Sequence, residues 1–428
     1  MDCLITAARI VTGPRGRHVT DGALLVQGGI ITAVGARPAV TARAPRDLPA
    51  YAFPGATVLP GLIDSHVHLA FDGGPDPVAT LREAEDAALV PGMADRALQL
   101  LGSGVTTVRD LGDRGGLAVR LRDEISDGRR PGPRILSAGT PLTGHGGHCW
   151  FLGGEVHGAD GIRAAVRRNA ELGADLIKVM ATGGGLTKDG PPSWQAQFTP
   201  EELSLVVAEA RRAGLPVAAH AHGTAGIAAA VAAGVATIEH CTWMGRSGFD
   251  VREELVAAIA ARGIRVCPAA SPDWRGFARR FGAERAEEMF ERLRWMRGQG
   301  VRFIAGTDAG VSRAVFDDFV SSLEFFEHIG FTPTEIVDLA TTETAQALGV
   351  ADDTGLLAPG YRADLLVVDG NPLEDLQALR AVRLVSTAGR HHFPQSKTPS
   401  RPAHHGDVPA QHGDVPAQHG DVSGRRQP

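Results

Sequence analysis

From residue 58 to residue 350 the sequence alternates eight times between a short apolar run and a stretch of helical character. The apolar runs are VLPGLIDSHVHL, TTVRDLG, RILSAG, LIKVMATGG, PVAAHAHG, TIEHCTW, RVCPAA and VRFIAGTDAG. Ala/Leu/Glu/Arg-rich stretches follow nearly all of them, as at 80–102, 161–173, 201–213 and 250–262. Strand-then-helix repetition is the pattern of an α/β protein with parallel strands. Eight units in this span predict a (β/α)8 TIM barrel, for which about 250 residues is usual. An open doubly wound sheet is the rival architecture. It is weakened because no GxGxxG or GK[ST] motif stands at a strand-to-helix turn, and ATGGGLTKDG lacks the spacing of a phosphate cradle.

The two ends of the chain read differently. Residues 1–57 carry CLITAARIV, GALLVQGG and IITAVG, short apolar runs bounded by Gly turns. The same character returns in ADLLVVDGNPLEDL and AVRLVSTAG. These segments predict a small β-sandwich domain built jointly from 1–57 and 351–396, flanking a catalytic barrel at 58–350. From 397 to 428 the chain is polar, with a HGDVPAQ repeat running from His405 to Val422, and disorder is expected there. The tail histidines (His404, His405, His412, His419) read as solvated repeat residues, not as a metal site.

Composition narrows the function. The net charge is −6 and no basic stripe occurs, which argues against a nucleic-acid partner. The four cysteines (Cys3, Cys149, Cys241, Cys267) show no CxxC spacing, so neither a disulfide framework nor a zinc knuckle is expected. The first residues, MDCLITAARIVTG, lack the cationic start and cleavage site of a signal peptide. No apolar run approaches the roughly 18 residues of a membrane span. The expectation is a cytoplasmic enzyme acting on a small molecule, with homo-oligomerisation left open.

In a TIM barrel the chemistry sits at the C-terminal ends of the strands. The first run ends in His66 and His68, and residues two apart on a strand share a face. The fourth carries Lys178, costly to bury unless paired or neutral. The fifth ends in His220 and His222, the sixth in Glu239 and His240, and the eighth in Asp308. HxH alone is a weak signal. Ligand-type side chains at the same end of five strands point to a metal site, since such donors suit zinc and similar ions.

The motifs GLIDSHVHL, IKVMATGGG, HAHG, IEH and GTDA, taken in order, resemble the metal-dependent amidohydrolase superfamily, in particular its imidazolonepropionase-like and Xaa-Pro dipeptidase-like branch. The resemblance runs from residue 1 to about residue 392. It implies two divalent metal ions, with zinc expected. His66 and His68 would hold the more buried ion, and His220 and His240 the second. Lys178 would be carboxylated and bridge both. Asp308 would touch the first ion and act as general base on a bridging hydroxide.

The implied reaction is hydrolysis of an amide C–N bond in an N-acyl amino acid or a dipeptide. The alternatives are a one-metal deaminase, a cyclic imidazolone-type amidohydrolase, or a carbamate or phosphoester hydrolase on the same scaffold. His222, two residues past a ligand, is the candidate to bond the carbonyl oxygen or oxyanion. The Gly-rich loop 142–158 offers His148, His145 and Trp150 as substrate-binding residues, with His148 foremost. Asp110 is expected in a structural role, and Glu239 as either a partner of a ligand or a surface carboxylate. Cys149 and Cys241 are expected to be buried apolar groups. Arg275, Arg279 and Arg280 read as a solvated helix face sooner than as a carboxylate clamp. Tyr51 and Tyr361, the two tyrosines, fall outside the predicted barrel, which removes a tyrosine grip on a dipeptide carboxylate.

Overall fold

All eight apolar runs become parallel strands in the computed structural model, which describes residues 2–393. The strands in chain order are β1 (Cys3–Gly13), β2 (Arg17–Gln27), β3 (Ile30–Ala36), β4 (Ala50–Pro60), β5 (Leu62–Val67), β6 (Val105–Asp110), β7 (Arg134–Ser137), β8 (Ile177–Met180), β9 (Val217–Gly223), β10 (Thr237–Gly245), β11 (Gly248–Phe249), β12 (Arg265–Cys267), β13 (Arg302–Phe303), β14 (Leu365–Asp369), β15 (Val382–Thr387) and β16 (Arg390–His392). The fold is α/β. One parallel sheet runs β5-β6-β7 and a second runs β13-β12-β10-β9-β8, with the short β11 antiparallel to β10.

Backbone hydrogen bonds join these two sheets at both edges. On one side Leu142 N donates to Lys178 O at 2.9 Å and Met180 N to Leu142 O at 2.8 Å. On the other, Ser65 N donates to Ala305 O at 2.9 Å and Asp308 N to His66 O at 2.8 Å. The segment that carries Asp308 thus lies beside the strand that carries His66, although 242 positions separate them in sequence. Gly306 permits this approach. A Cβ there would sit 2.6 Å from Cys267 Sγ and 2.8 Å from His66 Cβ.

The helices follow the expected places, with one refinement. The stretch at 80–102 is two helices, Pro77–Glu83 and Asp86–Gly102. Asp76 caps the first, accepting from Ala79 N. Helix Pro200–Arg212 starts on a capping box in which Thr199 and Glu202 satisfy each other's backbone N–H, with Pro200 at the first helical position. The strands and helices enclose one large apolar core, from Leu62 and Val108 through Ile238 and Trp243 to Leu323 and Phe326.

The two β-rich ends do meet. They form one hydrogen-bonded sheet of seven strands in the order β16-β15-β14-β4-β1-β2-β3, with β14 antiparallel to β4. Alternation sorts the side chains: Val58, Leu365 and Val367 join a small core with Ile5, Ile10 and Leu24, while Leu59, Leu366 and Val368 face the large core. Tyr51 and Tyr361 lie against the small core. Strand β4 continues to Pro60, and only Gly61 separates it from β5. The tail at 397–428 and its histidines lie outside the described residues. Among the described residues, no helix is long and apolar enough to cross a membrane.

Leu365 is fully buried where β14 bridges the ends of the chain. Leu365→Ala is expected to lower the free energy of unfolding by about 2–5 kcal/mol, read from denaturant titration at unchanged slope.

Candidate metal centre

Each sequence-predicted ligand is placed by the end of a strand or the turn after it. His66 lies on β5 with His68 just beyond it, Lys178 on β8, His220 and His222 on β9, His240 on β10, and Asp308 in the turn after β13. The structure brings them together in two groups. His66, His68 and Asp308 present ligand atoms within 4.8 Å of one another, and so do His220, His222 and His240. The His66 and His240 rings, 5.3 Å apart, link the groups.

The imidazoles are oriented from behind. His66 Nδ1 lies 2.9 Å from Glu239 Oε2, and His66 Nε2 lies 3.3 Å from Asp308 Oδ1. His68 Nδ1 bonds Gly112 O at 3.2 Å, and its Nε2 lies 3.5 Å from the same Asp308 oxygen. One nitrogen of each ring is held by an acceptor while the other faces the cluster. That is how ligand imidazoles are fixed in tautomer and direction, and the donor set fits a divalent cation. The His222 and His240 rings stack at 4.5 Å, and both lie within 4.8 Å of the His220 ring. His222 Nδ1 is 2.9 Å from Thr242 Oγ1.

Electrostatics separates the groups by role. Lys178 has 1% of its surface exposed, and burial pushes its amine below the ordinary lysine range, with Glu239 opposing. Burial also drives His220 and His240 well below the usual imidazole range, His68 and His222 down to about 4, and His148 to about 3. These rings are neutral, the form that binds metal. His66 is the exception. Burial and Lys178 push it down, but the charge and hydrogen bond of Asp308 together with a hydrogen bond to Cys267 act upward, and the net shift raises it. Burial would raise Glu239 and Asp308. Arg109 and His66 hold the first below the carboxylate range, and His66, His68 and Lys178 hold the second there.

Sequence reasoning left Glu239 undecided and passed over Arg109. Glu239 is fully buried and accepts from Arg109 Nη2 at 2.8 Å. Arg109 also donates to Ser65 O at 2.7 Å and Thr237 Oγ1 at 3.1 Å. A charged residue inside the apolar run TTVRDLG was the available signal, the same one that singled out Lys178. Asp110 is structural, as expected, but it caps no helix. It accepts from Leu69 N at 2.7 Å and Gly112 N at 3.0 Å, fixing the turn that carries His68. Asp64, not singled out in the sequence, accepts from Thr307 Oγ1 at 2.7 Å and so ties β5 to the Asp308 turn.

The loop residues divide. The His148 ring is buried, 4.6 Å from that of His220. A Cβ on Gly184 would sit 2.5 Å from the His148 ring, so that glycine leaves the ring its place. His145 is exposed and pairs with Glu155 at 3.0 Å, and exposed Trp150 lies under Arg82. Neither joins the imidazole groups. Cys149 and Cys241 are buried, and burial pushes the Cys149 thiol up to about 12. Arg275 bonds Glu324 at 2.7 Å, while Arg279 and Arg280 pair with Asp273.

Comparison with known proteins agrees with this geometry. The amidohydrolase family model matches residues 57–390. The chain belongs to the amidohydrolase family. Ochratoxinase from Aspergillus niger is 31% identical over 423 residues, covering 90% of this chain and 84% of the relative. An imidazolonepropionase from Salinispora tropica is 27% identical over 92% of this chain and 97% of its own length. Among solved structures, a Xaa-Pro dipeptidase with bound methionine superposes at a TM-score of 0.80 with 30% identity, covering 92% of this chain and 100% of the other. As an amidohydrolase, the protein is a hydrolase of carbon–nitrogen bonds.

Two predictions follow from the buried charges of this amidohydrolase. Arg109→Leu strands the Glu239 carboxylate and is expected to cost about 3–5 kcal/mol, measured by denaturant unfolding of metal-free protein. The neutral imidazoles set an acid limit. Their folded values near 3 to 4 lie below the ordinary 6.5, so the unfolded chain binds more protons between the two. The stabilising contribution of these rings in chelator-treated protein should be full above pH 6.5 and fall as pH drops toward 4, against an opposite contribution from the buried carboxyls Asp64, Asp110 and Asp113, raised to about 6, 6 and 7. A wild-type slope no steeper than that of His148→Gln across that window would show that this ring is not held neutral.

Proposed function

We propose that this amidohydrolase is a binuclear metal hydrolase that cleaves the amide C–N bond of an N-acyl amino acid or a dipeptide. The observation that carries the reading is the pair of ligand groups with Lys178 acting electrostatically on both. Lys178 shifts His66, His68 and Asp308 on one side and His220, His222 and His240 on the other. On this reading the parallel strands form a (β/α)8 barrel at 58–350. The joint sheet of the chain ends belongs to a β-sandwich domain made of 1–57 and 351–396.

Under this assignment His66, His68 and Asp308 hold one divalent cation, and His220 and His240 hold the other, zinc in both cases. Lys178 serves both as a carbamate. An amine kept neutral by burial can capture carbon dioxide, and the resulting anion suits a place crowded with cations. Bound there, the ions would lower the pKa of water toward neutrality and polarise the scissile carbonyl.

The chain's own groups do the rest. Asp308 accepts the proton of the attacking water and passes it to the leaving nitrogen. His222 Nδ1 lies 2.9 Å from the Thr242 hydroxyl, and on this reading the hydroxyl donates to it and the ring proton sits on Nε2. That N–H then donates to the carbonyl oxygen as it gains charge. His148, buried beside His220, lines the substrate side of the site.

Metal analysis tests the assignment. Wild-type protein is expected to carry about two ions per chain, and Lys178→Ala at most one. Asp308→Asn should lower kcat by at least about 100-fold toward N-acyl amino acids and dipeptides. One ion per chain, indifferent to Lys178, would reject the binuclear site and turn the substrate search to deamination and cyclic amidines.

A further inference from the structure

Beside the second ligand group lies a cavity of about 170 Å³ that the ligand assignment does not use. His222 and His240 form one wall of it. Trp274, Phe277, Phe290 and Phe325 form much of the remainder, drawn from helices Trp274–Phe281, Ala283–Gly298 and Phe319–His328. The aromatic rings pack edge to face, with Trp274 centred 6.1 Å from Phe290 and 5.7 Å from Phe325. The one polar atom of Trp274, its indole N–H, donates to Ser321 O at 2.9 Å, so its ring offers the cavity only carbon.

Two arginines touch the cavity, and both are already ion-paired. Arg292 lies 3.7 Å over the Phe249 ring, bonds Glu288 at 3.2 Å and donates to Thr242 O at 3.4 Å. Arg280 pairs with Asp273. A carboxylate entering here would have to displace an existing ion pair and would face apolar walls. A neutral hydrocarbon group meets no such cost. An apolar cavity of about 150 Å³ in a protein interior is sufficient for a benzene ring.

We propose that this cavity is a specificity subsite that receives a neutral aromatic group of the substrate, carried next to the amide bond cleaved at the metal centre. The inference rests on the amide-hydrolase reading and extends it. The preferred substrates are amides bearing a phenyl-sized apolar group, and the substrate carboxylate lies elsewhere. Burying such a group should raise kcat/KM about 10- to 100-fold over a methyl-bearing analogue.

The test compares N-acetylglycine, N-benzoylglycine and N-acetylphenylalanine as substrates of the metal-loaded enzyme. At least one aromatic compound is expected to exceed N-acetylglycine by 10-fold or more in kcat/KM. Ala270, a buried residue on the cavity wall, provides the variant. Ala270→Leu fills the space and should shrink that ratio at least 10-fold while metal content stays at the wild-type value. If Ala270→Leu does not fold, Leu293→Ala serves from the opposite direction, enlarging the cavity and moving preference toward naphthoyl over benzoyl. Absence of an aromatic advantage in the wild type, or a ratio unmoved by a folded, metal-loaded variant, overturns the subsite. If no amide is hydrolysed, calorimetric titration with N-benzoylglycine decides separately. Binding that weakens 10-fold in Ala270→Leu keeps the subsite and rejects the amide reading, whereas no binding rejects the subsite itself.

Discussion

Glu239 has no exposed surface, and the arrangement of the strand ends depends on how its charge is met. One oxygen takes a hydrogen bond from Arg109, which crosses from β6, and the other lies against His66 on β5. An unpaired carboxylate at that depth would cost several kcal/mol. Pairing therefore fixes three strands relative to one another and at the same time aims His66. The positive charge of Arg109 is fully engaged inside the protein, with Ser65 O and Thr237 Oγ1 as its other partners. Through this one ion pair the support behind the first ligand group and the packing of the parallel strands become the same interaction.

The second constraint is backbone strain at the ligand-bearing turns. His240, Cys241 and Asp308 hold φ of 68°, 51° and 59°, a region that side-chain-bearing residues rarely occupy. Each such residue costs of order 1–3 kcal/mol and persists only where surroundings dictate it. The surroundings do so here. Asp308 N donates to His66 O, and the neighbouring Thr307 is tied to Asp64 through both backbone and hydroxyl. At His240 the register between β9 and β10 slips before resuming at Met244, which turns the His240 ring onto that of His222. The same contacts that hold this strained backbone bring the side chains of His66, His68 and Asp308, and of His220, His222 and His240, into their groups.

Much of this was legible in the sequence because it follows from short-range rules. The parallel strands announced themselves as apolar runs, and Lys178 stood out as a charge where none is expected. Arg109 obeyed the same rule in TTVRDLG and went unread, since attention fell on the Asp110 that follows it. The chain ends were recognisable as β, but the order β14-β4-β1 was not, because pairing across some 300 residues leaves no local mark. The aromatic cavity was illegible for the same reason. Its walls come from three helices and three strand ends, and each aromatic residue alone looks like ordinary core. The arginines of helix Trp274–Phe281 are expected from the sequence on a solvated helix face; in the structure each is ion-paired, and Arg280 also touches the cavity.

The placement of that cavity has a consequence for how such a protein can change its substrate. Ligand atoms come from the strand ends and are locked by Glu239, Asp64 and backbone bonds that leave little freedom to vary. The aromatic part of the cavity wall comes mainly from helices Trp274–Phe281 and Ala283–Gly298, which hold none of those locks, while strand ends supply the rest. Replacing an aromatic there alters shape at a cost confined to local packing, while the imidazoles keep their partners. His222 and His240 alone belong to both regions, as wall of the cavity and as members of the ligand group. They set where a bound group must end and the reacting bond begin. Under the proposed assignment, changes on those helices would reshape the subsite while the imidazoles keep their partners, although β10 contributes to both through His240 and through Cys241, Thr242 and Met244.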